Sequence, residues 1–230
     1  MWGCTEDAIK ADSEAGNITI RNITNVWSEE DRAIDANTRF EEDRQNPDTG
    51  EDYTFKGDAH ILIQNVSISA IDHDNNPDTD DALSADGILA LTSDGYITID
   101  GDADDTGTLT RGIKAKEIGI LANSDGGDVL IEDFAYAWGG EDKGIQADSD
   151  GGMITIRNIT TTASEGNWAI DADSRIVVED DEGNTVEVTG GGYILIQDIS
   201  VPDFDHDDKD TSPLVRSADG IRALSGHGSI

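Results

Sequence analysis

The sequence is poor in several features that usually define a globular protein's class. One cysteine among 230 residues excludes a disulfide framework and says little about compartment. Four prolines, and no Pro/Ser-rich stretch or break in composition, leave no linker, so the chain reads as one array rather than separate domains. Basic residues are scarce, 15 Lys and Arg against 50 Asp and Glu, for a formal charge of −35. Phosphates would be repelled, which argues against nucleic acid and anionic lipid as partners and makes cations the natural counterpart. No apolar run approaches the roughly 18 residues of a membrane span. HExxH, CxxC and Gly-rich phosphate-loop motifs are absent.

What is present is repetition. The stretch Gly144 to Thr160, GIQADSDGGMITIRNIT, contains Gly-Ile-x-Ala, a polar corner at Asp148 to Gly152, and Ile154-Thr155-Ile156, whose alternation puts both isoleucines on one strand face. A second turn follows at Arg157-Asn158. The same grammar recurs from Ala8, Gly87 and Gly119, and in interrupted form from Ala33 and Ala169. A further copy starts at Gly220.

The Ile of each Gly/Ala-Ile-x-Ala falls at 9, 34, 88, 120, 145, 170 and 221, at spacings of 25, 54, 32, 25, 25 and 51 residues. Twenty-five is the bare unit and the rest carry insertions. A β-rich unit of this length cannot bury its apolar side alone, so neighbouring copies must stack into a solenoid, one coil per repeat. The expected architecture is all-β, a right-handed parallel β-helix of about seven coils. The acidic excess alone would suggest disorder, but the regular Ile columns supply the apolar surface that a disordered chain lacks.

A superrepeat of four coils lies above the unit. NITIRNIT at Asn17 returns as MITIRNIT at Met153, 136 residues on, and ILIQNVS at Ile61 returns as ILIQDIS at Ile194, 133 on, dividing the chain into 8–143 and 144–230. Trp2-Gly3 likewise maps onto Trp138-Gly139, and Gly226 to Ile230 onto Ser93 to Ile97. Both ends therefore fall within repeats, and the chain is expected to be a window from a longer array. Its partners are then its own continuation or further copies head to tail. Lateral rod contacts are a further expectation, from the alternating outward positions Leu62, Leu130 and Leu195.

Insertions interrupt the coils that open at Ala33 and Ala169. Arg39 to Gly57, and Ile176-Val177-Val178 with Val186-Glu187-Val188, read as hairpins thrown out from the stack. Acidic loops follow at Asp72 to Ser84 and Val201 to Ser217. Asp72, Asp74, Asn76, Asp78 and Asp80 space oxygen ligands as a calcium loop does, since alternate residues converge on a hard cation. The pattern matches an EF-hand loop only in part. Pro77 stands where the sharp-turn Gly belongs and Leu83 where the bidentate Glu belongs, so the alternative is a solvated acidic turn. Asp100, Asp102, Asp104 and Asp105 form a second candidate calcium group. His73 and His206 sit at equivalent places in the loops and read as surface histidines.

Asn22, Asn65, Asp133, Asn158 and Asp198 share one position just after the strand, where Asn and Asp accept turn geometry, and stacking them builds a side-chain ladder. N-x-S/T sequons at Asn17, Asn22, Asn65 and Asn158 partly coincide with it.

Gly-Ile-x-Ala, a Gly corner and Ile-x-Ile together resemble the right-handed parallel β-helix of bacterial large surface and secreted proteins, autotransporter passengers and filamentous-haemagglutinin-type adhesins among them. That resemblance covers nearly the whole chain and is architectural. It implies export, a cell-surface or extracellular location, and a role in adhesion, stalk or matrix building, with carbohydrate or a host surface as ligand. A non-enzymatic structural or adhesive rod accounts for the near-identical superrepeat. The alternative is a polysaccharide lyase or hydrolase, since β-helices carry carbohydrate grooves. A catalytic cleft is unique to one place on a rod, however, whereas here the acidic loops recur with altered residues.

Overall fold

The computed structural model describes residues 6–14, 16–45, 49–50, 52–68, 83–102, 108–179, 185–189, 191–201 and 219–226. All regular structure among them is strand. The chain opens with β1 (Ile9–Asp12), β2 (Ile18–Thr24) and β3 (Ile34–Thr38), then a hairpin of β4 (Glu41–Gln45) and β5 (Asp52–Lys56). Next come β6 (Ile61–Ser67), β7 (Ile88–Thr92), β8 (Ile97–Asp100), β9 (Gly112–Ala115) and β10 (Ile120–Ser124). They are followed by β11 (Val129–Gly139), β12 (Ile145–Ser149), β13 (Ile154–Ser164) and β14 (Trp168–Asp173). A second hairpin, β15 (Ile176–Glu179) and β16 (Thr185–Thr189), precedes β17 (Ile194–Ile199) and β18 (Asp219–Leu224).

Two parallel sheets of seven strands take up most of these elements. The first has the order β1-β3-β7-β10-β12-β14-β18; the second runs β17-β13-β11-β8-β6-β2, with β9 beside the far half of β11. The chain alternates between the sheets, and each hairpin is a separate antiparallel pair.

Register in the first sheet follows the sequence marks. Ile9 pairs with Ile34, Ile34 with Ile88, Ile88 with Ile120, Ile120 with Ile145, Ile145 with Ile170 and Ile170 with Ile221. Insertions therefore leave the stack undisturbed. The reason is the two-residue period of a strand: a slip of one residue would turn a whole Ile/Ala face into water. Ile34, Ala36, Ile88, Ala90, Ile120, Ala122, Ile145 and Ala147 are all fully buried. Ile18, Ile20, Ile97, Ile99, Ile154 and Ile156 of the second sheet, each expected inside, are buried too and join the same apolar cluster.

At the corner from the first sheet to the second, a hydroxyl stands four residues after each Ile from Ile34 onward: Thr38, Thr92, Ser124, Ser149, Ser174 and Ser225. These side chains donate to backbone carbonyls that have left the ladder, such as Ser124 Oγ to Gly95 O at 2.9 Å and Ser149 Oγ to Gly127 O at 2.8 Å. The glycines there are required by close approach. A Cβ on Gly127 would lie 2.1 Å from the carbonyl oxygen of Gly95, and one on Gly152 would lie 2.3 Å from that of Gly127.

At the next corner Asn22, Asn65, Asp133, Asn158 and Asp198 all take the left-handed conformation, with φ of 57°, 54°, 63°, 52° and 54°. Asn and Asp bear this conformation at least cost among residues with a side chain. Beyond the bend β11 and β13 continue, β9 pairs with Tyr136 to Gly139, and Ile68 bridges to Ile113. The sequence reading ended the strand at this bend and missed the strip beyond it. Its inward positions include Ala137, Thr162 and Ala163, which give no Ile signal.

Cutting Ile156 to Ala is expected to cost about 2–5 kcal/mol. Ser149→Ala, which orphans a buried carbonyl, should cost about 1–3 kcal/mol, while Arg21→Ala on the exposed face should stay within about 0.5 kcal/mol. Denaturant unfolding of the three variants checks the ranking; equal losses at Arg21 and Ile156 would contradict the buried column.

Candidate functional site

The outer face of the second sheet carries a groove with a mixed apolar and polar lining. The residue before each inward Ile or Val lies on one strip, in the order Tyr193, Met153, Asp128, Tyr96, His60, Asn17, as the ladder bonds from the following residues show. Six large apolar side chains are exposed among the described residues, and three of them, Tyr96, Met153 and Tyr193, belong to this strip. Such clustering is what distinguishes a patch from scattered surface residues. Inward of it runs the Leu/Thr column. Leu62, Leu130 and Leu195 are half-buried there and Thr155 is buried. The groove, of about 340 Å³, is lined by Tyr96, Ile97, Thr98, Asp128, Val129, Leu130, Met153, Thr155 and Arg157.

A polar row flanks the groove. Arg157 Nε donates to Glu132 Oε2 at 2.6 Å, and Gln64 Nε2 to Asp100 Oδ2 at 3.3 Å. Beyond it lies the Asn/Asp ladder. Asn65 Nδ2 donates to Asn22 Oδ1 at 3.2 Å, and Asn158 Nδ2 donates to Asp133 Oδ1. Gly101 fills the ladder position after β8. A side chain there would collide with the Asp133 carbonyl, at 2.3 Å from its Cβ. Of the four sequons, Asn65 is buried, so its amide is not open to modification in the folded chain.

Two of the predicted calcium ligands, Asp100 and Asp102, are buried next to one another at the end of β8. Asp100 Oδ1 accepts the backbone N–H of Asp102 at 3.1 Å, so this carboxylate also closes a turn. Burial pushes its carboxyl above the ordinary range, and the nearby Glu132 and Asp133 add to that. Asp104 and Asp105 lie outside the described residues, as do Asp72, Asp74, Asn76, Asp78 and Asp80.

Several cations pair with carboxylates over the first sheet. Arg222 holds Asp171 by two bonds, Nε to Oδ1 at 2.7 Å and a terminal nitrogen to Oδ2 at 3.0 Å. Arg32 lies among Asp7, Asp31, Asp35 and Asp86, and Arg39 reaches Asp125 at 2.9 Å. The positions after the seven Ile marks read Lys10, Asp35, Leu89, Leu121, Gln146, Asp171 and Arg222, with charged or polar residues at both ends of the series and leucines between them, so no regular period marks this face in the sequence. Burial raises the carboxyls of Asp35, Asp86, Asp148 and Asp150 above their ordinary values. Burial would raise Asp173 as well, but the hydrogen bonds and charge of Arg175 overcome it and hold it below. Asp148 and Asp173 are register partners driven in opposite directions, as in a general acid and base pair. Here both oxygens of Asp173 are occupied by Arg175, which makes it a structural ion pair.

These shifts fix a pH dependence. A carboxyl whose folded pKa is raised binds its proton more readily than the unfolded chain does. Its contribution is complete below the ordinary aspartate value and is lost as pH rises through the higher folded one. Asp173 acts oppositely, and only below the ordinary range. Thermal stability is therefore expected to rise as pH falls from neutrality toward about 5. Asp148→Asn, which keeps the bond from Gln146, should raise the melting temperature near neutral pH and leave it unchanged near pH 4. A melting temperature that falls steadily from neutrality to pH 5 would contradict the assignment. No family model, no curated protein and no solved structure matches this chain.

Proposed function

We propose that the two parallel sheets are faces of one closed, right-handed β-solenoid, and that the chain serves as a non-enzymatic rod segment of a cell-surface or extracellular protein, structural or adhesive in role. The observation that carries this reading is the in-register pairing of seven Ile positions across spacings of 25 to 54 residues. In-register stacking of this kind is the property a rod needs. Parallel crossovers are right-handed in nearly all known sheets, which supports the hand. The terminal strands of each sheet order, β1 and β18 in one and β2 and β17 in the other, have one neighbour each among the described residues. An unpaired strand edge is a template for a further strand, so continuation of the stack by the chain itself, or by copies head to tail, fits this arrangement. Such contacts give open filaments rather than closed rings.

Electron microscopy of the native material tests the rod. The expected result is filaments with an axial repeat of four coils, roughly 19 Å at about 4.8 Å per coil. Discrete particles with no axial repeat would overturn it. Calcium is proposed as a ligand of the acidic loop on its spacing of oxygen ligands alone. A melting temperature higher in calcium than in chelator, at matched ionic strength, is the expected outcome, and equal melting would remove the site.

A further inference from the structure

Tyr96, Asp128 and Met153 follow one another along the outer strip, each one residue ahead of its strand, β8, β11 and β13 respectively. Asp128 is much shorter than its two neighbours, so a slot opens between the ring and the thioether. His60 covers one face of Tyr96, with ring centroids 3.6 Å apart and planes inclined by 18°. Its own ring is fixed because Nδ1 accepts the Tyr96 backbone N–H at 3.2 Å. The opposite face of Tyr96, whose side chain is 49% exposed, turns toward β11 and the slot. Two strand steps span roughly 9.6 Å, of which two van der Waals contacts take up about 7–8 Å. One flat group fits between Tyr96 and Met153. Leu130 forms the floor, with Thr98 and Thr155 beside it.

Charge decides which flat group. Asp128 accepts the Met153 backbone N–H through Oδ1 at 2.7 Å, and among the described residues no cation pairs with its carboxylate. Arg157 is the one cation lining the slot, and Glu132 holds it at 2.6 Å. The chain as a whole carries −35. A planar cation would stack on the tyrosine face, pair with Asp128 and contact the polarisable sulfur. A guanidinium satisfies all three at once, because it is flat, weakly hydrated and forked toward carboxylates. A second copy docked sideways on this face would bring like charge to Asp128, and a neutral sugar ring would leave the charge of Asp128 unused.

We propose that the slot between Tyr96 and Met153 binds a guanidinium group, presented as an arginine side chain by a basic segment of a partner protein. This deepens the adhesive reading by naming the class of partner, and rests on that reading only for the partner being external. The slot itself requires no more than the parallel pairing of β8, β11 and β13. Loss of the rod in microscopy would leave it intact, and loss of the slot would leave the rod.

The test uses the full chain in about 0.15 M salt, where long-range attraction is screened. The probe is N-acetyl-arginine methylamide, whose single charge avoids the indiscriminate binding of polycations. NMR is expected to show saturable shifts confined to the Tyr96 ring and the Met153 methyl. Asp128→Asn removes one charge of 50 acids and keeps the Met153 hydrogen bond. It should weaken binding about five- to tenfold, as should Tyr96→Leu, with melting temperatures unchanged. The citrulline analogue, of the same shape without the charge, should bind as weakly as the variants bind arginine. A short peptide carrying the arginine should bind at least as tightly as the free probe. Undiminished binding by Asp128→Asn, equal binding of citrulline, no shift with any probe, or cellobiose shifting these signals where arginine does not, would each overturn the proposal.

Discussion

Parallel in-register stacking of Ile-x-Ala strands is the constraint on which the rest of this structure depends. Each copy offers the next a row of backbone groups and an apolar face, and neither is satisfied unless the copies align residue for residue. Ile and Ala on one face and polar residues on the other make any one-residue slip expensive. Insertions can then differ freely in length, because they leave the stack at a corner and return to it. The hairpin of β4 and β5 shows this: Gly57 donates its N–H to the Phe40 carbonyl at 2.9 Å, and the chain rejoins the stack at β6.

Corners are where the sequence has least freedom. At one of them a serine or threonine hydroxyl and a glycine work together, the first occupying a carbonyl that has left the ladder, the second letting two backbones approach. At the other, Asn or Asp accepts a left-handed bend. The same side chains then bond along the stack, as from Asn65 to Asn22 at 3.2 Å. These devices fix where the outward residues sit, and so build the Tyr96–Met153 slot from residues far apart in sequence.

The columns, both hairpins and the Asn/Asp ladder were legible in the sequence because each repeats with a fixed offset from an Ile. The hydroxyl column repeats with equal regularity, four residues after each Ile, and was open to the same reading. The strip containing β9 was not legible, since Gly112 to Ala115 follows an insertion and its neighbours turn Ala and Thr inward. The slot was less visible still. Tyr96, Asp128 and Met153 differ from one copy to the next, and a site made by differences between repeats leaves no periodic trace. Asp100 and Asp102 were singled out as oxygen ligands, and what brings them together is a turn in which one carboxylate accepts the other residue's N–H.

The scarcity of cations also has a structural consequence. Arg32, Arg39, Lys143, Arg175 and Arg222 are spent on half-buried or buried carboxylates of the first sheet's outer face. The second sheet has Arg21, Lys114 and Arg157, the last of them held by Glu132. Register across the long insertions is the central claim, and interstrand nuclear Overhauser effects on the intact chain test it most directly. The account predicts contacts between Ile34 and Ile88, 54 residues apart, of the same kind as those between Ile120 and Ile145, 25 apart. Contacts displaced by a residue or more, or missing at the longer spacing, would contradict it.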